Sequence, residues 1–416
     1  MHSSTVKPAL RDAYPAAWAI CPTRFLLGFA QGGLLSPLLP LLGDTFEVSY
    51  SELGLLISAF GLSAVGMDLI ATGFFSRRPL RQVLLQGIVV TGLGLLGCAL
   101  APSFYWMVAA RAVIGFGVSM ARFALLTVMV TATPRTAQGR AHNLLEFSAI
   151  AGNTISPTLS GLLAVFVHWR AAYSVAVVFI VAAFAWVVFT REALAKAMRI
   201  AATQQTSHLE APPLTVGALR SSASRDTRAI LIAYLATFVL SFVWGGFIST
   251  ALPLYGGNVL GLSTSTLGLI MTAGLVVDLL LLLPTGWLSD RLQNRTVLAP
   301  ALSLLAAALF WLPHSSQFWG LLLVSIGLHA GFAAWGMPSA ALAMLTQGHR
   351  LTRVMAWYRL LVDGAAVIAP WLIGLLIERY GYGGPSLCTA VIVALTALCV
   401  AWGLRLTRQE KTAYPA

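Results

Sequence analysis

The feature that most constrains this chain is a succession of twelve apolar runs, each long enough to cross a lipid bilayer. A crossing helix needs about 17–25 mostly apolar residues. Such runs occupy residues 18–41, 52–75, 83–101, 104–132, 143–167, 172–189, 229–253, 265–288, 297–313, 317–346, 354–377 and 386–404. In lipid every backbone N–H and C=O must be satisfied internally, so runs of this length form helices. The fourth and tenth runs are the longest and predict tilt or projecting ends. Charged residues make up 10% of the chain and hydrophobic ones 58%, whereas a soluble domain carries about 25% charged residues. The chain reads as an all-α membrane protein.

The net charge of +12 would suggest a nucleic-acid partner in a soluble protein. Here the basic residues sit in short loops between runs, which is membrane topology and excludes a phosphate-binding groove. With the N-terminus inside, inner segments carry twenty of the 26 Lys and Arg residues, and outer loops carry only Arg170 and Arg379. Both termini are therefore expected in the cytoplasm. Polar residues 1–17 lead directly into the first run, which is expected to be retained as a helix. Residues 191–228, with Gln204, Gln205, Pro212 and Pro213, break the apolar pattern and read as a cytoplasmic linker. It separates bundles of six helices at 18–190 and 229–404, with a cytoplasmic tail at 405–416. Cys21, Cys98, Cys388 and Cys399 lie in apolar runs without metal-ligand spacing and read as packing residues.

The two halves repeat at an offset of 213 residues. Gly32, Gly33, Ser36 and Pro40 fall on Gly245, Gly246, Ser249 and Pro253; Gly73, Ser76 and Arg78 fall on Gly286, Ser289 and Arg291; Trp106 falls on Trp319, Arg140 on Arg353, Pro157 on Pro370 and Gly161 on Gly374. Gly and Pro matches are informative because their backbone roles are hard to replace. The pattern predicts two pseudo-symmetric six-helix bundles with a site between them near the midplane.

Three kinds of segment carry a family likeness. After the second run stands Gly73-Phe-Phe-Ser-Arg77-Arg78-Pro-Leu-Arg81, and after the eighth Gly286-Trp-Leu-Ser-Asp290-Arg291. Glycine lets two helices approach, and clustered Asp and Arg can bridge helix ends. The fourth run holds Arg111-Ala-Val-Ile-Gly115-Phe-Gly117, and the fifth holds Gly152-Asn-Thr-Ile-Ser156-Pro157-Thr-Leu-Ser160-Gly161. These resemble, in order, the G-x-x-x-D-R-x-G-R-R loops, the R-x-x-x-G-x-G segment and the G-x-x-x-G-P-x-x-G-G segment of the major facilitator superfamily. The first loop copy departs from the pattern, with Arg77 in place of Asp and Leu80 in place of Gly. Serines replace two glycines of the third segment. The closer likeness is to twelve-span drug/proton antiporters. It implies gating by Gly73, Arg78, Gly286, Asp290 and Arg291, an antiporter-like helix contact at Gly152, Pro157 and Gly161, and export by alternating access.

Charges inside the runs are few and balanced. Arg24, Arg111, Arg122 and Arg359 stand against Asp68, Glu146, Asp278 and Asp363. An arginine within a span costs about 2.5–3.5 kcal/mol on insertion scales, so each should face protein or water. Arg111 and Arg122 are close to three turns apart on one helix face, which the resemblance places at the cavity wall. Arg122 is expected to meet Glu146, and Arg359 to meet Asp363 at i,i+4. Arg111 is expected to face cavity water. Asp278 has no basic neighbour three or four residues away, and with His329 it is the expected proton carrier. Static buried ion pairs are the alternative at each of these positions.

No HExxH, GxxxxGK[ST] or GxSxG motif is present, so the chain reads as no enzyme, with no cofactor and no ATP site. The expected function is proton-coupled export of a small organic molecule, a drug, secreted metabolite or siderophore. The alternative is proton symport of a small organic anion into the cell. The expected partners are the substrate, protons and lipid, with no nucleic acid, for a monomer in a cell membrane, a bacterial inner membrane.

Overall fold

The computed structural model describes residues 17–30, 32–74, 78–133, 138–195, 223–291, 294–346 and 348–404. Twelve helical segments among them are long and apolar enough to cross a membrane. They are α1 (Ala17–Phe46), α2 (Tyr50–Ile70), α3 (Leu80–Ala99), α4 (Phe104–Met129), α5 (Leu144–Phe166), α6 (Trp169–Phe189), α7 (Thr227–Val259), α8 (Thr264–Leu282), α9 (Arg295–His314), α10 (Phe318–Leu345), α11 (Arg353–Tyr380) and α12 (Gly383–Gly403). An even number of crossings puts both chain ends at one face, the terminal face; the other is the far face.

The fold is two six-helix bundles, each with its own core. One core is built on Leu27, Leu38, Leu56, Ile88, Ile114 and Val187. The other is built on Ala236, Phe247, Leu302, Leu328, Ile373 and Val393. Apolar side chains such as Leu100, Phe166, Phe189, Leu280 and Trp402 stay exposed, which is stable only against lipid. The linker residues 196–222 and the tail from 405 lie outside the described residues.

α1 and α7 run past the ends expected from hydropathy, and neither is a regular helix throughout. α1 breaks after Gly28, resumes at Gly32–Leu35 and passes through a 3₁₀ turn at Ser36–Leu38. α7 is wound as a π-helix at Trp244–Ala251 and again at Tyr255–Val259, flanking Pro253. Proline supplies no N–H, so the ladder re-forms around it. These distortions fall on the glycine pairs that the internal repeat matches. Such π segments often sit at functional positions.

Candidate functional site

The halves meet along two seams, α2 with α11 and α5 with α8. At the far end both seams close through backbone. Gly161 lies against the Thr264 carbonyl and Gly268 against that of Pro157, so a Cβ at either would collide with main chain. Gly54 against Pro370 and Gly374 against Tyr50 repeat the arrangement on the other seam. Thr158 and Thr272 hydroxyls bond across the α5–α8 seam at 2.7 Å, and the Thr272 hydroxyl donates to the Thr154 carbonyl at 3.0 Å. On α2–α11, the Ser51 N–H donates to Glu378 Oε1 at 2.6 Å. Pro157 and Gly161 thus stand at the surface where the halves touch, while Gly152 packs on Phe25 of α1 inside its own bundle. The small residues permit helix approach that larger ones would forbid.

Toward the terminal face the α2–α11 seam is spanned by charge. Asp68 Oδ2 accepts from Arg122 Nη2 at 2.7 Å and from Arg359 Nη2 at 2.9 Å. Arg359 also stands 4.0 Å from Asp363, one turn along α11. One carboxylate oxygen therefore ties α4 and α2 of the first bundle to α11 of the second. The Arg359 side chain is 51% exposed and that of Asp68 25%, so this level is open to water.

The pairing expected between Arg122 and Glu146 is not formed. Glu146 faces the buried Arg24 of α1 at 3.6 Å. Depth along two antiparallel helices leaves open which way each side chain points. Asp68 and Arg122 each lie eighteen residues past their helix starts, Tyr50 and Phe104, and their side chains point at one another. Neither Asp68 nor Arg24 belongs to any of the sequence motifs. For Arg24 the available signal is an arginine in a span with no acid three or four residues away.

The second bundle holds Asp278 and His329. Asp278 of α8 is 3% exposed and His329 of α10 is wholly buried. The His329 ring rests on Gly274, one turn before Asp278 on α8. His329 Nδ1 lies 2.8 Å from the Ser325 carbonyl, which can only accept, so Nδ1 carries the proton in the neutral ring. Nε2 is then a bare lone pair, and neither it nor Asp278 Oδ1 has a hydrogen-bond partner among the described residues. Trp244, at the start of the first π segment, meets the His329 ring edge-on at 6.0 Å and stacks on Phe332 at 4.5 Å. Phe332 in turn stacks with Trp335, also on α10, at 6.1 Å. Two proton-binding groups and an aromatic wall thus share one region of α7, α8 and α10.

Arg111 does not face cavity water as expected. It is 1% exposed and lies over the Phe60 ring at 5.0 Å, inside the first bundle. Gly115 makes this possible by letting α4 approach α2 at the Phe60 carbonyl. Of the residues assigned to gating, the side chains of Gly73, Gly286, Asp290 and Arg291 lie outside the described residues, and Arg78 is exposed just before α3.

The sequence profile of the Major Facilitator Superfamily matches residues 20–274 and 233–415. An uncharacterized MFS-type transporter, YwfA of Bacillus subtilis (strain 168), is 25% identical over 393 residues, covering 88% of this chain and 87% of the relative. The methylenomycin A resistance protein of Streptomyces coelicolor (strain ATCC BAA-471 / A3(2) / M145) is 27% identical over 132 residues, 31% of this chain and 28% of that protein. The solved D-xylose-proton symporter superposes with a TM-score of 0.71 at 16% identity, covering 94% of this chain and 98% of that one. A POT family transporter in complex with 5-aminolevulinic acid gives 0.69 at 13% identity, with 92% and 95% covered. At those identities the structures speak for the fold alone, and the profile match over both halves speaks for the family. The chain belongs to the major facilitator superfamily and is a multi-pass membrane transporter, not an enzyme.

Proposed function

We propose that the chain is a proton-coupled exporter of a small organic molecule, working by alternating access in a cell membrane with its terminal face in the cytoplasm. The observation that carries this reading is Asp278, a buried carboxyl group with no ion-pair partner among the described residues. A carboxyl group kept in a span at such expense is a functional group by default. His329, one turn away around Gly274, offers a second proton-binding atom in Nε2. The aromatic wall of Trp244, Phe332 and Trp335 supplies a surface for an apolar or flat substrate. Export is supported by the contact of Pro157 and Gly161 with α8, and by the partial likeness to a resistance protein. The alternative of anion import rested on Arg111 and Arg122 facing the cavity; Arg111 is buried and Arg122 is bound to Asp68.

The test uses inside-out vesicles acidified within and a panel of antibiotics and dyes that includes methylenomycin A. An exported compound should draw protons out of the lumen and restore the fluorescence of an acid-quenched dye. Asp278→Asn should insert normally and abolish that recovery. Recovery at the wild-type rate in Asp278→Asn would remove Asp278 from the coupling. Compound uptake together with protons in right-side-out vesicles would reverse the direction.

A further inference from the structure

The two orphaned proton-binding atoms of the second bundle belong to helices that run side by side in one direction. α8 and α10 are both even-numbered crossings, so each runs from the far face to the terminal face. Their contacts keep them in register. Ser325 Oγ donates to the Ile270 carbonyl at 3.0 Å, and one turn on, the His329 ring rests on Gly274. One turn further, α8 carries Asp278. His329 Nδ1 is turned back to the Ser325 carbonyl at 2.8 Å, so Nε2, on the opposite edge of the ring, points on toward the turn of Asp278. Cα–Cβ bonds tilt toward a helix N-terminus, so the Asp278 side chain leans back toward Gly274. Asp278 Oδ1 and His329 Nε2, both without a partner among the described residues, thus approach one level from either side.

Gly274 is what lets the ring sit there. A Cβ at this position would collide with Nδ1 and Cε1 of the ring and with Ser325 Oγ. Trp244 of α7 meets the ring edge-on, so contacts with Ser325, Gly274 and Trp244 together fix its orientation. A carboxylate oxygen and a bare imidazole nitrogen both accept, and they repel when neither holds a proton. One proton between them satisfies both atoms and brings the charge of the pair to zero. Without it the pair is a buried anion with no ion-pair partner among the described residues. Other titratable groups on the elements packed against α8 and α10 stand elsewhere. Glu146 of α5 faces Arg24 of α1. Arg228 and Arg295 stand at the terminal starts of α7 and α9, and Asp44 and His314 at the far ends of α1 and α9. The hydroxyls of Tyr234 and Tyr255 on α7 donate to the carbonyls of Val354 and Ser315.

We propose that Asp278 and His329 form one proton site, with the proton held between Asp278 Oδ1 and His329 Nε2, and that Gly274 is the positioning residue that brings the imidazole to the carboxyl group. This rests on the reading of Asp278 as the coupling acid, and it makes one site of two proton-binding groups. Uptake adds a single proton and changes no other bond. Release leaves two acceptors facing each other, which favours a state that parts them.

The full chain is enriched with nitrogen-15 in its histidine rings and purified in detergent in mildly acidic buffer, without substrate or gradient. His329→Gln identifies the His329 signals by difference. The wild type should show a protonated Nδ1, and an Nε2 signal displaced from the position of a free lone pair toward that of a hydrogen-bonded one. Asp278→Leu, an apolar residue in an apolar span, should return Nε2 to the free position. Gly274→Ala should do the same with Asp278 still in place. It should also lower Tm, and His329→Ala in the same chain should restore most of that loss, because no ring is left to meet the new Cβ. An Nε2 signal unmoved by Asp278→Leu would overturn the pair, as would a protonated Nε2 beside a bare Nδ1 in the wild type. An Nε2 signal unmoved by Gly274→Ala, or a Tm loss that His329→Ala leaves in full, would overturn the role of Gly274. The spectra report the pair and not transport, so a reversed direction in vesicles and a failed pair are separate results.

Discussion

Removing the charge of Asp68 should open the terminal face. Its Oδ2 atom receives two guanidinium groups at 2.7 and 2.9 Å, and only the bond to Arg359 crosses between the halves. With Arg359 half exposed, that bond contributes about 0.2–1 kcal/mol. A second effect adds to it. Two cations that share one oxygen at those distances stand less than about 6 Å apart, and without the carboxylate they repel by about 1 kcal/mol in a watery setting. Asp68→Asn therefore loses an attraction and gains a repulsion across the seam, about 1–2 kcal/mol in all. That is roughly a five- to thirty-fold shift toward the terminal-open state. Arg359→Gln loses only the attraction and should shift it about five-fold at most. The double variant should fall back to the level of Arg359→Gln.

Spin labels at Leu69→Cys on α2 and Trp357→Cys on α11, both exposed positions, report the opening once the four native cysteines are replaced. Pulsed distance measurement then gives the populations of near and far pairs. Unchanged populations in Asp68→Asn, or a larger effect of Arg359→Gln than of Asp68→Asn, would refute the reasoning.

Two further outcomes follow from the same geometry. Gly161→Leu places a side chain against the Thr264 backbone, so it should hold the far face open and raise the labelling of a far-face cysteine; labelling at the wild-type rate would count against the seam. Glu146→Gln leaves Arg24 buried without its counter-charge, which should lower stability by about 3 kcal/mol, and Arg24→Met in the same chain should restore most of the lost Tm.

The twelve helices were legible because lipid leaves a chain no other way to satisfy its backbone, and the two-bundle architecture because Gly and Pro recur at one offset. What the offset could not tell was which helix each small residue would touch. Gly161 and Gly374 are matched in sequence, and the structure shows why: each lies against the first turn of a helix in the other half, at Thr264 and Tyr50. The irregular stretches of α1 and α7 were not legible because a break or π turn changes the backbone without changing hydropathy. The ion pairs were the least legible part. Depth along a span can be counted from sequence, but the direction of a side chain around the helix axis depends on packing, so Arg122 met Asp68 and Arg111 turned inward onto Phe60.

The duplicated scaffold carries unequal chemistry. At the 213-residue offset Arg111 matches Val324, Phe116 matches His329, Arg122 matches Trp335, Asp68 matches Leu281 and Val65 matches Asp278. Each of these charged or proton-binding groups thus has an apolar residue as its counterpart in the other half. The matched positions Glu146 and Arg359 carry opposite charges. The seams, by contrast, repeat the same contacts of glycine with backbone around Pro157 and Pro370. The proposed alternating access, with each half rocking against the other as a rigid body, would have both seams close by the same small-residue contacts. Coupling needs the opposite. Two identical half-sites would bind a proton and a substrate equally, and nothing would link the occupancy of one to the position of the other. In the proposed proton-coupled cycle, Asp278 and His329 stand in the second half alone, and Asp68 touches Arg359 across the gap, so a charge change at Asp68 would alter the energy of the other half.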